Sequence, residues 1–165
     1  MSQPSRKSSE SVAVFTHIVR AEDLNMHGSL FGGKLMAFMD TCAAITAMRH
    51  SQRNCVTAYI SDVHFQAPVR MGHILNIRSS LHFTARTSME ILCAATREDH
   101  LSGDVKEVCC ALFTFVALDS DNLPTAVAPV ELETHEDKRL NAEAKTRYEA
   151  RKHTAKQSDT LQRGK

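Results

Sequence analysis

No charge of one sign dominates this 165-residue chain: 20 Lys plus Arg stand against 19 Asp plus Glu, a formal net charge of +1. A near-neutral balance removes the electrostatic case for bulk nucleic-acid or membrane binding, so any anionic ligand must be held by a local group of cations. No apolar run reaches the roughly 18 to 20 residues that span a bilayer, and the opening MSQPSRKSSE lacks the apolar core of a secretory signal. The five cysteines, at 42, 55, 93, 109 and 110, are odd in number, lie in apolar stretches and show no CxxC or CxxxxH spacing. They read as reduced core thiols, not as a disulfide frame or a zinc site. Internal repeats are also lacking. The expectation is a cytoplasmic chain with no metal and no membrane span.

What is present suffices for one core, since 42% of 165 residues are apolar, too few for two ordinary domains. Residues 1–10 are polar and rich in Ser and Lys, and are expected to be disordered. The stretch 11–20 has the β-branched and aromatic content of a strand. A loop dense in Asn, Gly and Asp follows, then a predicted helix over 34–50, free of Pro and Gly. Leu35, Met39, Cys42, Ala43 and Thr46 recur at helical spacing, while Met36, Phe38, Ala44, Ile45 and Met48 fill much of the remaining circumference. A helix apolar nearly all round should be enclosed, and its small residues should let a sheet approach closely.

Four more strands are predicted at 55–67, 73–85, 88–99 and 106–119. In the second of these, Leu75, Ile77, Ser79, Leu81 and Phe83 alternate with Asn76, Arg78, Ser80 and His82. The short connections, marked by Pro68 with Gly72, Arg86 with Thr87, and Ser102-Gly103-Asp104, favour antiparallel neighbours over crossovers. The segment 106–119 is apolar on both parities, as a strand covered on both faces would be. One helix and five strands give an α+β domain over 11–130, a curved antiparallel β-sheet wrapped around a long central helix. Residues 131–165 read as a charged C-terminal helix and tail, acidic early and basic late, with Pro129 just before it. With Leu132, Leu140 and Tyr148 as its few large apolar residues, it should lie over the sheet or a partner subunit, or fray.

The chemistry-bearing groups cluster at the helix entry. Gly32 and Gly33 stand where the first backbone N–H groups have no intrahelical acceptor, and glycines leave those donors uncovered for a substrate oxygen. Asp40 lies about seven residues further, almost two turns on and on the same side as Gly33, so both can face one channel. A carboxylate in so apolar a helix is expensive unless partnered or used. Asn25 carries amide donors and an acceptor together. Arg86, Thr87 and Ser88 offer a guanidinium, two hydroxyls and backbone donors in one turn. Each has a plainer reading as well: a capped or salt-bridged Asp40, an Asn25 bonding its own loop, glycines supplying turn dihedrals, a basic residue ordinary for a hairpin. His27 reads as an exposed loop residue, His64 as one either on the sheet surface or lining the site behind the reacting groups, and the remaining histidines are too scattered for metal ligands.

The run Asn25-Met26-His27-Gly28-Ser29-Leu30-Phe31-Gly32-Gly33, followed by Leu35, Met36 and Asp40, resembles the signature of the hotdog-fold acyl-CoA thioesterases, the group of the YciA-like bacterial enzymes and the brain and brown-fat type acyl-CoA hydrolases. The resemblance continues through Phe65, Pro68, Val69 and Gly72, through Arg86-Thr87-Ser88-Met89-Glu90, and more weakly through Arg147-Tyr148-Glu149 and Arg151, covering roughly residues 12 to 152. His73 departs from it, standing where the family usually has Asp. The resemblance implies a hotdog fold and hydrolysis of acyl-CoA to free fatty acid and CoA, with Asp40 as general base or nucleophile. It implies that Asn25 of a partner protomer positions water and thioester, and that the Arg86–Ser88 turn belongs to the CoA groove. Arg70 and the tail residues Arg147, Arg151 and Lys152 are weaker CoA candidates. It further implies a homodimer at least, commonly a homohexamer built as a trimer of dimers, and no cofactor, CoA being part of substrate and product. Two other functions compete: a non-catalytic acyl-CoA-binding or regulatory hotdog protein, and a hotdog dehydratase, which would need a well-placed His where this helix has only His50.

Overall fold

The computed structural model describes residues 4–163, with side chains as far as residue 152. Its elements run β1 (Arg6–Lys7), β2 (Ala13–Ile18), α1 (Gly32–Ser51), β3 (Asn54–Phe65), β4 (Ile74–Thr84), β5 (Ser88–Glu98), β6 (Val105–Leu118), β7 (Val130–Glu131) and α2 (His135–Arg163). Five strands form one antiparallel sheet in the order β2-β4-β5-β6-β3, and β1 pairs with β7 in a separate parallel ribbon. This is the predicted α+β arrangement, a sheet around one long helix.

The inner face of the sheet is made by alternate residues of each strand. Ile77, Leu81, Ile91, Cys93, Phe113 and Phe115 are all but completely buried there beneath Leu35, Met39, Cys42 and Ala43 of α1. Small residues at 42, 43 and 47 bring the helix close enough for polar contacts between layers. Ser79 Oγ donates to the Cys42 carbonyl at 2.9 Å and lies 2.7 Å from Thr46 Oγ1, so these buried hydroxyls are not left unsatisfied.

Three expectations need correction. The segment 1–10 is ordered from Arg6 onward: β1 pairs with β7, a short 3₁₀ turn at Ser8–Ser11 packs on α1, and Ser11 Oγ lies 3.1 Å from His50 Nδ1. Composition suggested disorder, but two buried hydroxyls and a ribbon partner 124 residues away compensate its ordering entropy. Phe83 does not continue the inward row of β4. An extra residue, His82, sits between the pairs Leu81↔Ile91 and Phe83↔Glu90, and such a bulge turns the following side chain to the other face. Phe83 there meets Tyr148 of α2, ring centroids 5.4 Å apart. Finally, α1 is not enclosed by its own chain. Gly33, Ala37, Thr41 and Met48 are exposed along one stripe, with Asp40 and Ala44 half-buried beside them.

The strand next to that stripe is equally bare. As an edge strand, β3 leaves Val56, Tyr59, Ile60, Val63 and Phe65 exposed, an apolar edge of the kind that invites pairing with another chain. Two bulges interrupt it. Thr57 pairs with Phe115 but Tyr59 with Thr114, and Ser61 with Leu112 but His64 with Cys110. The first puts Thr57 on the inner face and Tyr59 on the outer; the second returns Phe65 inward, its ring 3.6 Å from where a Cβ on Gly32 would stand.

The outer face is partly covered by α2. Asn141 Nδ2 donates to the His82 carbonyl at 2.6 Å. The nearly buried Glu90 accepts from Arg147 Nε and Nη2 (3.0 and 2.7 Å) on one oxygen and from Arg151 Nη2 (2.8 Å) on the other. The charged tail thus docks through two ion pairs with one buried carboxylate. Among the described residues, no helix is long and apolar enough to cross a membrane.

Candidate active site

Residues 19–31 form a compact loop that delivers the chain to α1, and its anchor is Asp23. This side chain is 2% exposed and is held by Lys34 Nζ at 2.5 Å, by the Arg20 N–H at 2.7 Å and by His17 Nε2 at 2.7 Å. Burial alone would raise its pKa, but those three partners outweigh it and hold the carboxyl far below the usual range. The Phe31 N–H donates to the Asp23 carbonyl at 2.9 Å, so the anchor also fixes where α1 begins. Phe31 is the N-cap residue and supplies no side-chain cap. Among the described residues, the N–H groups of Gly32 and Gly33 have no backbone acceptor, as expected of the first positions of a helix. The Phe31 ring lies so close over Gly33 that a Cβ there would be 2.6 Å from Cε1. Glycine is what lets that ring fold against the helix start.

Asn25 is tied into this loop. Its Oδ1 accepts from the His27 N–H at 2.9 Å and the Ser29 N–H at 3.3 Å, while Nδ2 donates to Ser29 Oγ at 3.2 Å. This is the self-bonding turn that its sequence context allowed, and it leaves one amide hydrogen uncommitted. His27 is exposed, as expected. Gly28 sits at φ +71°, where glycine is favoured.

Asp40 belongs to the open stripe of α1, two turns beyond Gly33. Its Oδ1 accepts from Thr57 Oγ1 at 2.6 Å, and no cation pairs with it among the described residues. Thr57 was not singled out from sequence: a threonine in a strand is ordinary, and only the bulge at Ala58 reveals that it faces the helix. No hydrogen bond joins Asn25 to Asp40 within the chain. A cavity of about 280 Å³ opens beside the helix start, lined by Leu30, Gly32, Leu35, Phe65, Pro68 and Val108 among others.

The residues expected to hold CoA are not all together. Arg70 is exposed at the Asn25 end of the sheet, where it bridges to Ser29. Arg86, Thr87 and Ser88 form the β4–β5 turn at the opposite end, tied to the chain by Val127 N–H to Arg86 O and Ala117 N–H to Thr87 O, both 3.0 Å. The 11 residues of β4 separate these ends by about 33 Å at ~3.3 Å per residue. Arg151 is not free for a ligand on the Asp40 side: it lies on the outer face, bonded to Glu90 and 5.5 Å from the Tyr59 ring centroid. Arg147 shares that carboxylate, and Lys152 lies over the Tyr148 ring. The five cysteines are unbridged thiols, and among the described residues no three His, Cys, Asp or Glu side chains gather as metal ligands.

The fold and the glycine-headed helix define a hotdog domain, and comparison with known proteins agrees. A thioesterase superfamily model matches residues 27–103. The chain is 36% identical over 152 residues to the Bacillus subtilis protein YkhA, named an uncharacterised acyl-CoA thioester hydrolase, covering 92% of this chain and 88% of that one. It is 32% identical over 142 residues to the human cytosolic acyl coenzyme A thioester hydrolase, covering 85% of this chain but only 37% of that longer protein. Among solved structures, an apo-hexameric acyl-CoA thioesterase superposes with a TM-score of 0.88 at 35% identity, over 93% of this chain and 98% of that one. A Staphylococcus aureus acyl-CoA hydrolase solved with butyryl coenzyme A, coenzyme A and coenzyme A disulfide gives 0.86 at 33%, over 96% of each. The chain belongs to the hotdog-fold acyl-CoA thioesterase family.

Proposed function

We propose that this chain hydrolyses acyl-CoA thioesters at a site completed between two copies, with Asp40 of one and Asn25 of the other. The observation that carries the reading is the setting of Asp40: a partly buried carboxylate on the uncovered stripe of α1, oriented by Thr57 and neutralised by no cation among the described residues. Structures of the S. aureus enzyme exist with an Asn, an Asp and a Thr each replaced by alanine; their separations, 15 and 17 residues, match those of Asn25, Asp40 and Thr57.

Pairing two β3 edges antiparallel gives a ten-stranded sheet with both helices on one face, turned end over end by the two-fold axis. The partner's helix start and Asn25 loop then approach the middle of this chain's α1. The partner's Arg70 end likewise comes to the Arg86–Ser88 end of this chain, which reunites the separated cations. Helix geometry supports the same conclusion. Gly33 and Asp40 of one chain are about 10 Å apart along the axis at 1.5 Å per residue, too far to act on one carbonyl, so the donors working with Asp40 are those of the partner.

In the reaction, Asp40 takes a proton from water while the resulting hydroxide adds to the thioester carbon. Thr57 leaves Oδ2 free for that proton. The charge that develops on the carbonyl oxygen is met by the exposed N–H groups at the partner's helix start and by its Asn25 amide. Collapse of the tetrahedral intermediate breaks the C–S bond, and the thiolate of CoA leaves and takes up the proton. No cofactor is needed. Further assembly of dimers into a hexamer, and a cytoplasmic setting where acyl-CoA is available, belong to the same reading.

The direct test is thiol release from a chain-length series of acyl-CoAs, wild type beside Asp40→Asn. Rapid release that falls about 10²-fold or more in the variant, with the fold unchanged, is expected. A folded wild type that binds CoA and releases no thiol from any acyl-CoA would leave a binding or regulatory module as the correct reading.

A further inference from the structure

Among the described residues, the sole fully buried side-chain nitrogen or oxygen without a hydrogen-bond partner is Nε of Arg97. Its side chain is 13% exposed, and its only ion pair among the described residues is a long one, 3.4 Å from Nη2 to Asp104, whose carboxylate also lies 3.5 Å from Lys106. A guanidinium has five donors. Withdrawing one from water with a single weak acceptor is unfavourable, and such a group calls for a missing anion or water.

The surroundings favour an anion. Arg97 pairs in the sheet with Leu75, so it belongs to the inner face, at the end that carries the Asn25 loop. The Arg70–His73 turn lies above it: His73 N–H donates to Arg70 O, and the Arg70 N–H donates to His73 Nδ1 at 3.2 Å. That bond fixes the neutral tautomer, since Nδ1 must accept, and leaves Nε2–H as an uncommitted donor. Gly72, at φ +84°, turns the chain so that His100 Cε1 comes within 3.9 Å of its Cβ direction. Burial and the charge of Arg97 both hold His73 below the ordinary imidazole range, with Arg70 and His100 adding to the effect and Asp99 opposing it. Two acids share the neighbourhood and are engaged there: Asp99 accepts from the Leu101 N–H at 3.0 Å within its own hairpin while its charge reaches His73, and Asp104 divides its carboxylate between Arg97 and Lys106. Neither Arg70 nor His100 has an ion-pair partner among the described residues.

We propose that Arg97, Arg70, His73 and His100 form an anion site that grips a phosphate of the nucleotide end of acyl-CoA. The inference rests on the acyl-CoA reading above and adds to it the place where the substrate's charged end is recognised. Its location suits that role, because the pantetheine arm requires the phosphate anchor to lie well away from the reacting carboxylate. Arg97, already desolvated, loses little further freedom on binding, and a bidentate guanidinium–phosphate contact is the strongest the cluster can offer.

The test compares an acyl-CoA with the same acyl group on pantetheine, which carries no phosphate. Arg97→Met keeps the apolar stem and removes the orphaned donors, so it should fold. It is expected to raise KM for acyl-CoA about 10-fold or more with kcat changed less than about twofold, and to leave kcat/KM for acyl-pantetheine as in the wild type. Exposed Arg70→Gln should give a smaller shift of the same selectivity. Calorimetric titration with CoA, 3′-dephospho-CoA and inorganic phosphate identifies which phosphate is held. A uniform loss on both substrates, or no change in either, would overturn the proposal. If the wild type proves inactive on every thioester, the hydrolase reading fails by itself; weaker CoA binding by Arg97→Met would still support the anion site, and unchanged binding would refute it.

Discussion

Asp23 and Glu90 are each 2% exposed and Asp40 is only partly buried, yet the two deeper carboxylates are the quieter ones chemically. Asp23 has Lys34, His17 and a backbone N–H; Glu90 has two guanidinium groups. Every oxygen of theirs is spoken for, and what they do is fasten a loop to a helix and a tail to a sheet. Asp40 has one hydroxyl and one free oxygen, on a surface that only a second chain would close. Burial with full pairing marks a structural acid; partial burial with a partner of no charge is the setting that the proposed role of Asp40 requires.

The sharpest break of that contrast is Asp40→Asn, expected to lower kcat about 10²-fold or more while shifting the denaturation midpoint little, as measured by thiol release beside a denaturant titration. Glu90→Ala should do the reverse. It strands two arginines and should destabilise by about 3 kcal/mol, seen in the denaturant midpoint, with turnover per folded molecule much less affected. Thr57→Ala removes the only hydrogen bond to Asp40 among the described residues and should lower kcat roughly 10-fold, since a bond to a charged group is worth about 1.5 kcal/mol or more. An equimolar mixture of Asn25→Ala and Asp40→Asn chains, unfolded and refolded together, should recover roughly a quarter of wild-type turnover, since half the dimers are mixed and each holds one intact site. Recovery no greater than the sum of the separate variants would place both residues in one protomer's site.

The smallest expected effect is in pH. Burial holds His50 and His82 below the ordinary imidazole range, so from about pH 6.5 downward the unfolded chain binds more protons than the folded one. The stability they contribute is complete above that pH and declines as the solution is acidified. Tm measured between pH 8 and 5 should fall toward the acid end, and His50→Gln should flatten the slope.

Much of this was legible in the sequence because it depends on local pattern. The α+β class, one long helix and five antiparallel strands followed from periodicity and short turns; the motif from Asn25 to Asp40 marked the helix entry. What was not legible depends on long-range closure. The ordering of Ser8 and Ser11 needs β7 and His50. The outward turn of Phe83 needs a bulge that alternating polarity does not announce. Arg151 looked like a free cation until Glu90, 61 residues earlier, was found beneath it. The apolar circumference of α1 marks a helix to be enclosed, but composition does not tell cover by its own chain from cover by another. Thr57 carried no signal at all, because its importance comes from which way a strand is pleated.

That pleat has a consequence for how far this sequence can be shortened or grafted. The extra residue at Ala58 works like a frame shift: upstream of it odd-numbered side chains look inward, and immediately downstream they look outward. Deleting Ala58 would leave Thr57 opposite Phe115 and Tyr59 opposite Thr114, each on the face it now occupies, whereas drawing Ala58 into the ladder would turn Tyr59 toward the helix and away from Arg151. A chimera or loop-shortened variant that treats β3 as a regular ribbon inherits a composition that is right and a phase that is wrong.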